Sequence, residues 1–163
     1  MTDKVATPEE LARLAYAASI RLLARRDHSI FELTQKLKKR EHSDNAIDSA
    51  VQELLDANYL NEERYADLFA EQRMNQGYGP IVIRAKLSQR GIPGHLIQSA
   101  IRGLQVDWAL QAEQVIHKRF NCEDISDPDQ KVVAKIARFI QARGFVPSDA
   151  VRALKNARLN LEQ

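Results

Sequence analysis

Apolar positions in this chain recur three and four residues apart almost from end to end, the spacing of helices that each bury one stripe. Leu11, Leu14, Ala15, Ala18 and Leu22 form the first such run. Thr7-Pro8-Glu9-Glu10 ahead of it supplies an N-cap, a proline for the first helical position and a glutamate to close a capping box. Ser29 and Glu32 repeat that box before Ile30, Leu33 and Leu37. Ser43 opens a third helix with Ile47, Ala50, Val51, Leu54 and Leu55, and Asn58 just past it suits a left-handed cap. Asn61 opens a fourth on Tyr65, Leu68 and Phe69, with Glu62 and Glu63 near the positive end of its dipole. Gly77-Tyr78-Gly79-Pro80 interrupts the pattern and Pro80 restarts it; Gly91-Ile92-Pro93 ends that helix and launches Leu96, Ile97, Ala100, Ile101 and Leu104. Trp108, Ala112, Val115, Ile116 and Phe120 share the next face. Asp127-Pro128-x-Gln130 reads as another capping box before Val133, Ile136, Ala137 and Ile140. Gly144 then stops that helix, and Pro147 starts a last one on Ala150, Val151 and Leu154. Strand alternation is nearly absent, so the pattern predicts an all-α chain of about nine helices.

The stripes repeat. A shift of fifty residues lays Leu33, Lys36, Leu37 and Arg40 on Ile83, Lys86, Leu87 and Arg90, and Ile47, Ala50, Val51 and Leu54 on Ile97, Ala100, Ile101 and Leu104. A further shift of fifty-three matches Ile83, Leu87 and Gly91 with Ile136, Ile140 and Gly144; one extra residue then puts Pro147 on Pro93 and Val151 on Ile97. This predicts an elongated array of three tandem three-helix repeats, over residues 8–58, 59–104 and 105–160. Units this small must bury their faces against their neighbours, and an array of this kind works through an extended face rather than one pocket.

Charge sharpens that expectation. The whole chain carries only +2, yet the middle helix of each repeat carries +3: Lys36, Lys38, Lys39 and Arg40 against Glu32; Arg84, Lys86 and Arg90; Lys131, Lys135, Arg138 and Arg143 against Asp129. The remainder is therefore acidic. Lysines and arginines ordinarily solvate outer helix faces, but recurrence on the same element suggests a basic stripe facing phosphates or an acidic protein surface. Tyr78, in the turn between basic helices, is placed to stack on a base; Tyr16, Tyr59, Tyr65 and Trp108 are expected to pack. No chemistry-bearing constellation emerges. His28, His42, His95 and His117 share no ligand spacing with Cys122, the lone cysteine, which also excludes an intrachain disulfide. Gly77-x-Gly79 lacks the Gly-Lys-Ser/Thr ending of a phosphate loop. With no apolar run long enough for a membrane span and no signal-peptide pattern, a cytoplasmic, non-enzymatic protein without cofactor is expected.

The motifs resemble the RecX family of bacterial recombination regulators. Arg26-Asp27-His28-Ser29-x2-Glu32-Leu33-x2-Lys36-Leu37 is similar to that family's Arg-Asp-His-Ser signature. Tyr59-Leu60-Asn61-Glu62-Glu63-Arg64-Tyr65-Ala66 and Gly77-x-Gly79-Pro80-x2-Ile83-x3-Leu87-x3-Gly91-Ile92 follow in the family's order. Asn58 stands where the family has glycine, Lys86 where many relatives have glutamate, and Phe145-Val146 adds a residue. The resemblance implies three three-helix repeats and a monomer that binds in the groove of the RecA filament on single-stranded DNA. It further implies inhibition of filament growth, ATP hydrolysis, strand exchange and the coprotease role in the SOS response. The residues expected to face filament or nucleic acid, with weak direct DNA contact as a further mode, are Arg25, Arg26, Lys36, Lys38, Lys39, Arg40, Tyr78, Arg84, Lys86, Arg90, Lys131, Lys135, Arg138 and Arg143.

Two other classes fit parts of the pattern. A tandem helix-turn-helix protein would lay Arg84 to Arg90 in a groove of duplex DNA. A helical-repeat peptide adaptor is disfavoured by the period of about fifty residues.

Overall fold

The computed structural model describes residues 6–120 and 129–159, and all regular structure among them is helical. In chain order the helices are α1 (Pro8–Leu23), α2 (Ile30–Lys38), α3 (Asp44–Asp56), α4 (Glu62–Asn75), α5 (Pro80–Ser88), α6 (Gly94–Gly103), α7 (Trp108–Arg119), α8 (Gln130–Ala142) and α9 (Pro147–Leu159). The caps read from the sequence determine where several of them start. Thr7 and Ser29 each close a full capping box, with Glu10 and Glu32, and Asn61 accepts from the Arg64 N–H at 2.9 Å. Asn58 adopts the left-handed conformation, φ 56°. α8 is capped by Asp129, which accepts from the Val132 N–H at 2.8 Å; the expected cap at Asp127 lies outside the described residues.

Packing divides the chain into two compact units, residues 1–66 with 88–96, and 67–87 with 97–163. In the first unit Leu22, Leu33, Leu37, Ile47, Leu54 and Leu60 make the core. Small side chains on α1 and α3, Ala15 against Ala46 and Ala50, let those two helices approach closely. In the second unit Ile116, Phe120, Ile136, Ile140 and Phe145 are buried with Ala112, Ala153 and Ala157. Trp108 packs at its edge, 6.3 Å from Phe145 in a T-shaped pair.

Burial corrects the register of the last helix. α6 starts at Gly94 and α9 at Pro147, so the shift of fifty-three persists and no residue is inserted. Phe145 takes the buried place of Ile92, and Ala153 that of Ala100, while Val151 is 72% exposed. Pro147 is the first residue of α9, whereas Pro93 precedes α6. Aligning proline on proline therefore moved the stripe by one residue, about 100° around the helix. Other expected stripe members also face out: Leu11, Leu14 and Leu68 are exposed, as is Tyr59. The buried face of α1 uses Ala15, Ala18, Ser19 and Leu22, and small residues at the contact leave no room for the leucines.

Candidate functional site: the middle helices and their cations

The turn after each middle helix contains a left-handed residue at equivalent positions: Glu41 (φ 63°), Gly91 (φ 74°) and Gly144 (φ 87°). Two of these turns, after α5 and after α8, receive the N-terminus of the preceding middle helix. In the first unit Ser29, the N-cap of α2, donates from its hydroxyl to the Arg90 carbonyl at 2.7 Å. Phe31 lies over Gly91 so closely that a Cβ there would stand 2.7 Å from the Phe31 Cβ. In the second unit the Gly79 N–H donates to the Arg143 carbonyl at 2.8 Å and the Ile81 N–H to the Gly144 carbonyl at 3.0 Å. Gly79 is the equivalent of Ser29 at a shift of fifty, and Arg143-Gly144 of Arg90-Gly91 at a shift of fifty-three. Both junctions set the positive end of one helix dipole against the negative end of another, and in the second the C-terminal carbonyls directly satisfy N-terminal N–H donors.

Their side chains differ. Around α2, Glu32 gathers three side chains besides the Ser29 N–H of its capping box: Arg26 Nη1 at 3.2 Å, the Tyr65 hydroxyl at 3.0 Å and Arg90 Nε at 3.5 Å. Burial alone would raise the Glu32 pKa, but the hydrogen bonds from Arg26 and Tyr65 outweigh it and hold the carboxyl below its usual range. Tyr65 is pushed up, by burial first and then by the Glu32 charge. Glu62 accepts from the Ile30 N–H at 3.2 Å, and burial raises its pKa. His28 is almost fully buried; its Nδ1–H donates to the Arg26 carbonyl at 2.9 Å, and its Nε2 accepts from the Lys36 ammonium at 2.8 Å. Burial, with Arg26 and Lys36 nearby, keeps this ring neutral by lowering its pKa.

Around α5, Arg143 takes the central place. Its Nη1 donates to the Gln76 carbonyl at 3.0 Å, and its guanidinium lies 5.0 Å from the Tyr78 ring centre and 5.3 Å from that of Phe139. Lys86 Nζ lies 5.7 Å from the Tyr78 ring centre. Tyr78, expected to offer a face for base stacking, is half-buried among these cations. The pair Tyr78–Lys86 occupies the positions that His28–Lys36 occupies fifty residues earlier.

The fourteen expected contact residues thus fall into two sets. Arg26, Lys36, Lys86, Arg90 and Arg143, with Tyr78, are drawn into the two junctions. Arg25, Lys38, Lys39, Arg40, Arg84, Lys131, Lys135 and Arg138 are exposed. Lys38 pairs with Asp44 at 2.9 Å, a solvent-exposed contact of small energetic weight. Lys135 lies 5.8 Å from the Phe120 ring centre, and Arg138 donates to the Ala134 carbonyl within its own helix. Part of the threefold charge recurrence therefore reflects repeated structural clasps, and the outward set is left facing solvent.

Sequence reasoning read Glu32 as a cap and Tyr65 as a packing residue, missed the junction role of both, and passed over Arg64, Lys118 and Arg119 as site residues. Arg64 donates to the Asn58 and Tyr59 carbonyls and lies 3.8 Å from Asp27, tying the α3–α4 turn to the α1–α2 turn. Lys118 and Arg119 line an open groove of about 180 Å3 with Gln76, Gln111, Gln114 and Arg143. The C-terminal ends of α4, α7 and α8 converge there, so these cations complement three negative dipole ends. Among the described residues no group of three or more His, Cys, Asp or Glu is placed to hold a metal, and no helix is long and apolar enough to cross a membrane.

Comparison with known proteins gives a consistent result. A family model for the first three-helix domain of RecX matches residues 15–54, and one for the second three-helix domain matches residues 61–101. The chain is 37% identical over 136 residues to the regulatory protein RecX of Halorhodospira halophila, covering 83% of each. It is 38% identical over 145 residues to that of Pseudomonas entomophila, covering 89% of this chain and 90% of the relative. The crystal structure of RecX from Lactobacillus salivarius matches with a TM-score of 0.81 at 21% identity, over 93% of this chain and 99% of that one, which speaks for the fold.

Proposed function

The chain belongs to the RecX family, and we propose that it binds, as a cytoplasmic monomer, in the groove of the RecA filament formed on single-stranded DNA. There it inhibits filament extension, ATP hydrolysis, strand exchange and coprotease activity, and so modulates DNA repair and the SOS response. The observation that carries this reading is the kinship over most of both chains, joined to exposed lysines and arginines on all three middle helices.

The physics needs no reaction. A chain that presents cations from successive repeats meets a repeating acidic or phosphate-bearing surface at several points at once. Each point can be weak, because tethering raises the effective concentration of the next. Occupancy then excludes an incoming subunit, a duplex or a substrate protein. The reading is tested by titrating the chain into RecA, single-stranded DNA and ATP while following hydrolysis. Progressive inhibition is expected; hydrolysis that continues unchanged at excess chain would overturn it. Inhibition complete far below one chain per several subunits would indicate action at filament ends, and a near-stoichiometric requirement action along the groove.

A further inference from the structure

The two junctions supply a template for a third place in the molecule. In each, the turn after a middle helix offers an arginine and a left-handed residue to the N-terminus of another helix: Arg90-Gly91 to α2, Arg143-Gly144 to α5. Arg40-Glu41, after α2, is the same turn one repeat earlier, with the same left-handed backbone at Glu41. Lys39, Arg40 and Glu41 are all exposed, and among the described residues none bonds to their side chains. The two filled turns each receive the preceding middle helix, and among the described residues no middle helix precedes α2, so its turn has the form of an unfilled acceptor.

We infer that the turn after α2, centred on Lys39, Arg40 and Glu41, is a docking surface for a helix N-terminus of a partner protein that carries an acidic residue in its first turn. Charge complementarity names the partner's chemistry. In the first junction the visiting helix brings Glu32, which reaches Arg90 at 3.5 Å; the equivalent arginine here is Arg40, with Lys38 and Lys39 beside it. Helix N-termini favour carboxylates in their first turn, so such segments are common on protein surfaces. The Cβ of Glu41 adds selectivity. At Gly91 a Cβ would strike Phe31, so a visitor at Glu41 must carry a small residue at that point or sit slightly off the template.

Among the middle helices of a second copy of this chain, the one left unmatched does not meet these terms. It is α8, where Lys135 stands at the position of Glu32 and Lys131 lies in the first turn. Docking it here would set lysine against Arg40, a like-charge contact that opposes association.

This inference rests on the reading that the chain acts on a protein filament, and it specifies which part of the chain touches protein. The test uses the full chain as wild type, as Lys39→Glu/Arg40→Glu, and as Glu41→Gly. Fluorescence anisotropy of the labelled chain measures its binding to RecA–single-stranded DNA filaments and, separately, to single-stranded DNA alone. The double reversal is expected to weaken filament binding by about tenfold or more, with unchanged melting temperature and unchanged binding to free DNA. Glu41→Gly, which restores the glycine of the two filled junctions, is expected to bind filaments more tightly. Filament binding by the double reversal equal to wild type would overturn the docking surface and leave the functional reading intact. An equal loss on free DNA would also overturn it, since the cations would then be holding phosphate. A wild-type chain that ignores filaments removes the functional reading and this surface together.

Discussion

The junction at α2 and the junction at α5 solve one geometric problem with different chemistry. At α2, side chains carry it: a serine hydroxyl reaches the Arg90 carbonyl, and Glu32 holds Arg26, Arg90 and Tyr65. At α5, the backbone carries it: two N–H groups meet two carbonyls directly, Val82 stands in place of Glu32, and Arg143 lies on aromatic rings. Gly79 in place of Ser29 allows the closer approach, because a side chain there would enter the Gly144 backbone. What the repeat preserves is the meeting of a helix start with a helix end; the acceptor's Arg-Gly is kept, and the visitor's residues are free to change.

The largest predicted effect separates the two acceptors. In Gly144→Ala the new Cβ would stand 2.5 Å from the Val82 backbone nitrogen, at φ 87°, so backbone must move. A loss of about 3 kcal/mol or more is expected. Gly91→Ala meets one atom closer than 3.0 Å, the Phe31 Cβ at 2.7 Å, which a small shift at the start of α2 must relieve, and should cost less, about 2–3 kcal/mol. Urea unfolding of both variants checks the order; equal losses would mean that the junctions are equally tight.

A smaller effect follows from pH, and only the α2 junction should show it. His28 is held neutral, below its ordinary value near 6.5. The unfolded chain then binds the extra proton first, and stability falls as pH drops below about 6.5. Glu32, depressed in the folded state, adds a second loss as pH falls from its ordinary value near 4.5 through its folded pKa. Glu62, raised by burial, acts with the opposite sign near its own value and offsets part of that second loss. Melting temperature followed from pH 7.5 to 4 should decline in these two windows. His28→Gln should flatten the first and Glu32→Gln the second, while Arg143→Gln leaves both in place. A decline untouched by His28→Gln would place its origin elsewhere.

The sequence disclosed what is local. Thr7, Ser29, Asn58, Asn61 and Pro80 act where their short-range chemistry puts them, and the stripes on α2, α3 and α7 are buried as spaced. It hid what depends on partners far along the chain. Lys36 and Lys39 look alike in sequence, yet one bonds a buried histidine and the other faces solvent. Arg90 and Arg40 match by repeat, and among the described residues what distinguishes them is a preceding middle helix that docks on one and not on the other. The exposure of Leu14 has a similar origin, since the close approach of α1 and α3 at alanines decides which side of a broad apolar stripe is covered. Proline misled at α9 because the same residue serves before one helix and inside the next.

The central claim is that junction cations hold the repeats while outward cations meet the partner. It is tested most directly by reversing Lys39, Arg40, Arg84 and Arg138 together and measuring inhibition of RecA ATP hydrolysis alongside the melting temperature. The account predicts wild-type melting with inhibition largely lost. Full inhibition by a folded variant would contradict it, as would a collapse in melting temperature that made these four residues part of the scaffold.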